Sequence, residues 1–228
     1  MKIIKSQIVM LLFITVCLNG YTQGFANLDF EDATIVPDPS SIYYPNAVYT
    51  SDAVPGWTVI GNFMGPNDIF YNDISLGAPS VALLGNNGGF NALDGAYSID
   101  LYGGSSGSPA GVSISQTALV PADASSIGFI AQGYGSLGGP LLVSLGGQNI
   151  SFSAISTGPN YTSYAGSIPS GLAGQVAELT FSTAPDGGNN YWEIDDIQFS
   201  SVPEPGVFGL FALGGLFFGL RRRQTHSG

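Results

Sequence analysis

Tyr191-Trp192-Glu193-Ile194-Asp195-Asp196-Ile197-Gln198-Phe199 reads as a strand that changes phase halfway along. Trp192 and Ile194 share one parity, Ile197 and Phe199 the other, and the slip falls at Asp195-Asp196. Successive side chains of an extended chain point to opposite faces. An apolar set that switches parity therefore needs one extra residue, a β-bulge, to keep facing the same core. The same period of two recurs upstream. Ala177, Leu179 and Phe181 alternate with Glu178 and Thr180, and Ile150, Phe152 and Ala154 alternate with Ser151 and Ser153. Ile99 and Leu101 flank Asp100, and Val112, Ile114 and Gln116 form another run. Ile127-Gly128-Phe129-Ile130 and Leu141-Leu142-Val143 are two more. Short runs of this kind, punctuated by the chain's 33 Gly and 14 Pro and free of a helical stripe, predict an all-β chain. The expected architecture is an antiparallel β-sandwich. No long linker or strong repeat divides the middle of the chain, so residues 27–201 are expected to form one domain.

Only 9% of the 228 residues are charged, and their placement is uneven. The 5 basic residues are Lys2, Lys5, Arg221, Arg222 and Arg223, all near the ends. Of the 16 acids only Glu204 lies outside Asn27–Ser201, so that segment carries a formal charge of −15 and can form no internal ion pair. Phosphate recognition needs cations, so nucleic acid is excluded as a partner. The single cysteine, Cys17, excludes a disulfide. Such a domain gains from screening salt or bound divalent cations.

The two ends carry their own instructions. Lys2 and Lys5 precede the apolar run Ile8–Leu18, and polar and small residues follow, which is the layout of a secretory signal. Residues 1–26 are assigned to it, with Gly20 and Gly24 as alternative cleavage markers. The other end reads Val202-Pro203-Glu204-Pro205, then uncharged Gly206–Leu220, then Arg221-Arg222-Arg223. The prolines hold the backbone extended and stop a helix from spreading toward the domain. The apolar stretch predicts one short membrane helix, and the arginines place residues 224–228 on the cytoplasmic side. Order and spacing over residues 202–223 resemble the PEP-CTERM sorting signal. That resemblance implies recognition by an exosortase, a membrane-embedded cysteine protease. It further implies transient anchoring at the inner membrane, then release to the cell surface or extracellular matrix.

Two stretches resemble galactose-binding-like jelly rolls, a group that includes many carbohydrate-binding modules. Asn27-Leu28-Asp29-Phe30-Glu31, followed by Val54-Pro55-Gly56-Trp57, resembles their opening, and Tyr191–Phe199 their closing strand. The resemblance implies a structural Ca²⁺ held by Glu31 and Asp196, with Asn27 or Asp29 adding oxygen. First and last strands commonly pair, which would let these acids converge. Asn67-Asp68 and Asn72-Asp73 form a second oxygen-rich stretch, expected to be a solvated loop.

Catalytic chemistry finds little support. Gly103-Gly104-Ser105-Ser106-Gly107 fits the G-x-S-x-G pattern, but a serine nucleophile needs a base, and the only histidine, His226, lies beyond the arginines. Paired carboxylates would have to act without any cation, and Glu178 with Glu193 is the candidate pair. The expectation is a noncatalytic protein. Polysaccharide binding needs only aromatic faces and amide, hydroxyl or carboxylate partners. Trp57 and Trp192 are expected in the core, and Tyr161 and Tyr164, in a polar stretch, are the expected exposed ligand-binding platforms. A purely structural matrix protein is the alternative.

Overall fold

In the computed structural model the period-two runs become strands of two stacked sheets. It describes residues 24–74, 77–104, 111–134, 140–183 and 191–201. In chain order the strands are β1 (Ala47–Tyr49), β2 (Thr58–Ile60), β3 (Asp68–Tyr71), β4 (Ser80–Gly85) and β5 (Tyr97–Tyr102). They continue with β6 (Ser113–Leu119), β7 (Ser126–Tyr134), β8 (Leu141–Leu145) and β9 (Gln148–Asn149). The last are β10 (Phe152–Thr157), β11 (Thr162–Ser167), β12 (Val176–Thr183) and β13 (Tyr191–Ser200). One four-residue helix, α1 (Thr50–Ala53), follows β1.

The larger sheet has eight strands in the order β1-β3-β4-β5-β13-β7-β11-β10, and the smaller has five in the order β2-β6-β12-β8-β9. Pairing is antiparallel throughout except between β3 and β4, which run parallel. The closing strand does not pair with the first one. It lies at the centre of the larger sheet, between β5 and β7.

The phase slip in β13 is a bulge. Asp195 faces Ile130 and Gln198 faces Gly128, so Asp196 and Ile197 together oppose Phe129. Asp196 takes the left-handed backbone (φ 48°) that the extra residue requires. The bulge returns Ile197 to the core and leaves Asp195 on the outer face. Ile99, Leu101, Phe129 and Ile194 from the larger sheet meet Ile114, Leu179 and Phe181 from the smaller. Phe129 and Phe181 join the layers edge to face, with ring centres 5.3 Å apart. Trp57 is buried, and Trp192 packs half-buried against the same core. Trp192 lies across Gly133, where an added Cβ would come within 3.1 Å of the indole.

The described fold begins at Gly24, and its first residues strap the two layers together. Gly24 bridges to Leu119, and the Gln116 side chain accepts from Ala26 N at 2.7 Å and donates to Ala26 O at 3.1 Å. Phe25 stacks on Phe199 at 5.1 Å, and Ile197 N donates to Leu28 O at 3.0 Å. Most of the expected secretory signal and the whole of residues 202–228 lie outside the described residues. Among the described residues no helix is long and apolar enough to cross a membrane.

Candidate functional site

The core takes one parity of each central strand of the larger sheet, and the other parity builds a second surface. On that outer face β5 presents Ser98, Asp100 and Tyr102, and β13 presents Tyr191, Glu193 and Asp195. These side chains would be wet on an open sheet, yet Asp100, Glu193 and Asp195 are each no more than 2% exposed. Part of their cover is the β4–β5 connection, which folds back over the sheet. Asn86 braces it, accepting from Ala92 N and donating to Gly95 O. Leu93 is buried beneath it, and Asp94 N donates to Asp195 at 3.1 Å. Phe90 from the same connection packs on Phe70, Ala82 and Leu84 in a small second apolar cluster.

Between this connection and the end of β7 lies a cleft of about 610 Å³. Asp100, Glu193 and Gln132 lie toward its floor, and Phe90, Tyr134 and Tyr191 supply aromatic surface. The β10–β11 turn contributes Pro159 and Asn160 to one rim. A concave site of this size, part aromatic and part polar, is suited to a small ligand or a short stretch of polymer.

The floor is electrostatically unusual. Asp100 and Glu193 face each other directly across the β5–β13 ladder, which puts their Cβ atoms about 4.5–5.5 Å apart. Burial, and then the Glu193 charge, push Asp100 up to about 8, so its neutral form dominates at pH 7. Burial also raises Glu193, against hydrogen bonds from Ser98 and Tyr134 that favour its carboxylate. Asp100 Oδ2 is buried without a hydrogen-bond partner. Asp195, past Glu193 on the same strand, is driven up to about 8 by burial, although Asp196 N at 2.7 Å and Asp94 N both donate to it. Tyr191 stacks on Tyr102 with centroids 4.3 Å apart. Burial, followed by the charge of Tyr102, raises Tyr191 to about 12 and keeps it a neutral phenol.

Several residues singled out from sequence lie elsewhere. Tyr164 is not a platform: it sits opposite Phe129, stacks on that ring at 5.6 Å and meets Phe152 edge-on. Its polar neighbours disguised a position on the core-facing parity of β11. Tyr161 is half-buried in the β10–β11 turn, where its carbonyl accepts from Gly158 N, and the cleft takes Pro159 and Asn160 from that turn instead. Glu178 and Glu193 do not meet, because Glu178 is exposed on β12 of the smaller sheet. The partner of Glu193 is Asp100, which the sequence marked only as the polar step between Ile99 and Leu101.

The residues expected to hold calcium are used otherwise. Glu31 Oε1 accepts from Ala96 N at 2.7 Å and Tyr97 N at 3.0 Å, pinning the end of the β4–β5 connection. Asn27 Oδ1 accepts from Asp32 N, its Nδ2 donates to Pro55 O, and its carbonyl receives the Trp57 indole N–H. Asp29 accepts from Glu31 N, and Asp196 from Gln198 Nε2. Among the described residues no three acidic, histidine or cysteine side chains group as a metal site. These four residues act as hydrogen-bond acceptors that shape the entry segment and the bulge. Asp68 likewise departs from its expected loop: it belongs to β3, and its Oδ1 is buried without a partner. In the G-x-S-x-G stretch, Ser105 to Gly107 lie outside the described residues.

Several solved structures are similar in fold. The carbohydrate-binding module TmCBM61 in complex with β-1,4-galactotriose is 17% identical, covering 78% of this chain and 97% of its own, with a TM-score of 0.38. A cyclase from Fischerella sp. TAU in complex with 4-(1H-indol-3-yl)butan-2-one is 17% identical over 78% of this chain and 96% of its own, with a TM-score of 0.43. The K2 cleaved adhesin domain of Lys-gingipain is 14% identical over 79% and 97%, with a TM-score of 0.42. No curated protein matches the chain. The tail gives the specific match, and it carries an implication of export through an exosortase, with the chain held at the membrane before processing. Residues 201–223 are a PEP-CTERM protein-sorting motif.

Proposed function

We propose that the exported domain is a noncatalytic carbohydrate-binding module, delivered to the cell surface or extracellular matrix, that holds a glycan segment in the cleft above Asp100 and Glu193. The observation that carries this reading is the cleft itself: aromatic surface from Phe90, Tyr134 and Tyr191 beside buried polar groups. Pyranose rings present apolar faces that pack on aromatic rings, and their hydroxyls donate to carboxylate and amide oxygens. The ligand is a glycan without acidic substituents, because no Lys, Arg or His lies between Asn27 and Ser201 to receive an anion.

One point favours binding over hydrolysis. No cationic group in the domain stabilises a departing or attacking oxygen. Affinity electrophoresis of the full-length protein through gels containing single polysaccharides tests the reading. At least one neutral or basic polysaccharide is expected to retard it saturably. Tyr134→Ala, at a half-exposed rim position, should weaken that retention by about 1–3 kcal/mol. Uniform mobility in every gel would leave a matrix protein with no specific ligand. New reducing ends that vanish in Glu193→Gln would make it an enzyme.

A further inference from the structure

The cleft floor has an excess of acceptors and no donor of matching charge. Asp100 and Glu193 sit opposite each other, both at least 98% out of solvent and both lining a cavity of about 610 Å³, and the buried Asp100 Oδ2 has no hydrogen-bond partner. Burying two facing carboxyls raises the free energy of the charged pair, and an unpaired buried acceptor adds to that cost. The rest of the domain brings no relief, since Asn27–Ser201 contains no basic residue. The aromatic walls point the same way, because phenol and phenyl faces attract a cation.

A neutral sugar hydroxyl brings one O–H and no charge, so it leaves Asp100 holding its proton beside Glu193. A protonated primary amine brings three N–H donors and one positive charge on a group small enough to sit between two carboxyls. We propose that the Asp100–Glu193 pair is the recognition point for a protonated amine on the ligand, so that the glycan held here contains amino-sugar units with a free ammonium group. The inference rests on the binding reading above and adds the substrate class.

Protons should move when such a ligand binds. The groups that face Asp100 are Glu193 on β13 and Ala82 on β4, with Tyr102, Tyr191 and Tyr134 beside it and Asp195 further along β13. None is a cation, so the arriving ammonium is the one positive charge at the pair. It favours the doubly ionised state, and the proton that Asp100 holds at pH 7 is released to solvent.

Titration calorimetry of the full-length protein at pH 7 tests the proposal with four ligands. These are a glucosamine oligomer, its N-acetylated counterpart, a neutral hexose oligomer of the same length, and spermidine. The glucosamine oligomer is expected to bind at least about tenfold tighter than the acetylated one. Asp100→Asn and Glu193→Gln should each abolish that preference. If either variant fails to fold, the unaltered protein still decides the matter. Binding heats in buffers of different ionisation enthalpy, measured at about pH 5.5 where the free glucosamine amine is already protonated, should show net proton release with the amine and none with the acetylated oligomer. Equal affinity for the amine-bearing and acetylated oligomers would overturn the amine preference while leaving the glycan reading intact. Spermidine binding with no oligosaccharide bound would support amine recognition and overturn the glycan reading. No binding of any of the four overturns both.

Discussion

At the scale of single residues, Asp100 and Asp195 make the domain's stability depend on pH in a direction opposite to that of most acids. Both are held near 8 in the folded state, chiefly by burial, against an ordinary aspartate value of 3.8. Between those limits the folded chain keeps protons that the unfolded chain has already released. Stability therefore falls as pH rises through that window and levels off above the folded value. The melting temperature should drop between pH 4 and about 8.5, and scanning calorimetry across that range checks it. Asp100→Asn keeps the shape and removes the ionisation, so it should stabilise the protein by about 1–3 kcal/mol at pH 8 and flatten the profile. Asp195→Asn should gain less, because the two backbone N–H groups that Asp195 accepts favour its carboxylate. A melting temperature independent of pH in the unaltered protein would show that neither acid is held neutral. Keeping Asp100 ionisable at a cost in stability is the pattern expected of a group retained for a ligand rather than for the fold.

At the scale of elements, what could be read from sequence is what depends on parity. The slip at Asp195-Asp196 located the bulge, and the alternations around Ile99, Phe129 and Phe181 marked core faces, because side-chain direction in a strand follows position alone. Burial of the opposite face was hidden. It depends in part on the β4–β5 connection folding over the sheet, held by Asn86, Glu31 and Asp195 across contacts distant in sequence. Polar Asp100 and Glu193 therefore looked like solvated steps on strands, and Tyr164 looked exposed for the same reason in reverse. The entry segment is another long-range element: Ala26 meets Gln116 through two hydrogen bonds across 90 positions. Gln116→Ala would leave Ala26 N–H and C=O unpaired at the seam between the sheets, costing about 1–3 kcal/mol. Chemical denaturation should show that loss as a lower midpoint with an unchanged slope. An unaltered midpoint would mean that the Phe25–Phe199 stack closes the seam alone.

At the scale of the whole molecule, charge is sorted by segment. The 5 basic residues lie in the two terminal segments, and the domain between them carries a formal −15. Every long-range charge interaction inside that domain is repulsive, so its folding is opposed by a field that salt can screen. Raising NaCl from about 10 mM to 500 mM shortens the Debye length from roughly 30 Å to a few ångströms and should raise the melting temperature by several degrees. The same series separates screening from a bound ion. Asn27, Asp29, Glu31 and Asp196 are engaged in hydrogen bonds, and no acidic triad is grouped for a metal among the described residues. CaCl2 at equal ionic strength should therefore stabilise about as much as NaCl, and EDTA should leave the melting temperature in place. A calcium-specific rise that saturates, reversed by EDTA, would mean that the entry segment rearranges to free Glu31 and Asp196 for the ion. That movement would carry the cleft with it, because Glu31 also anchors the connection that covers Asp100.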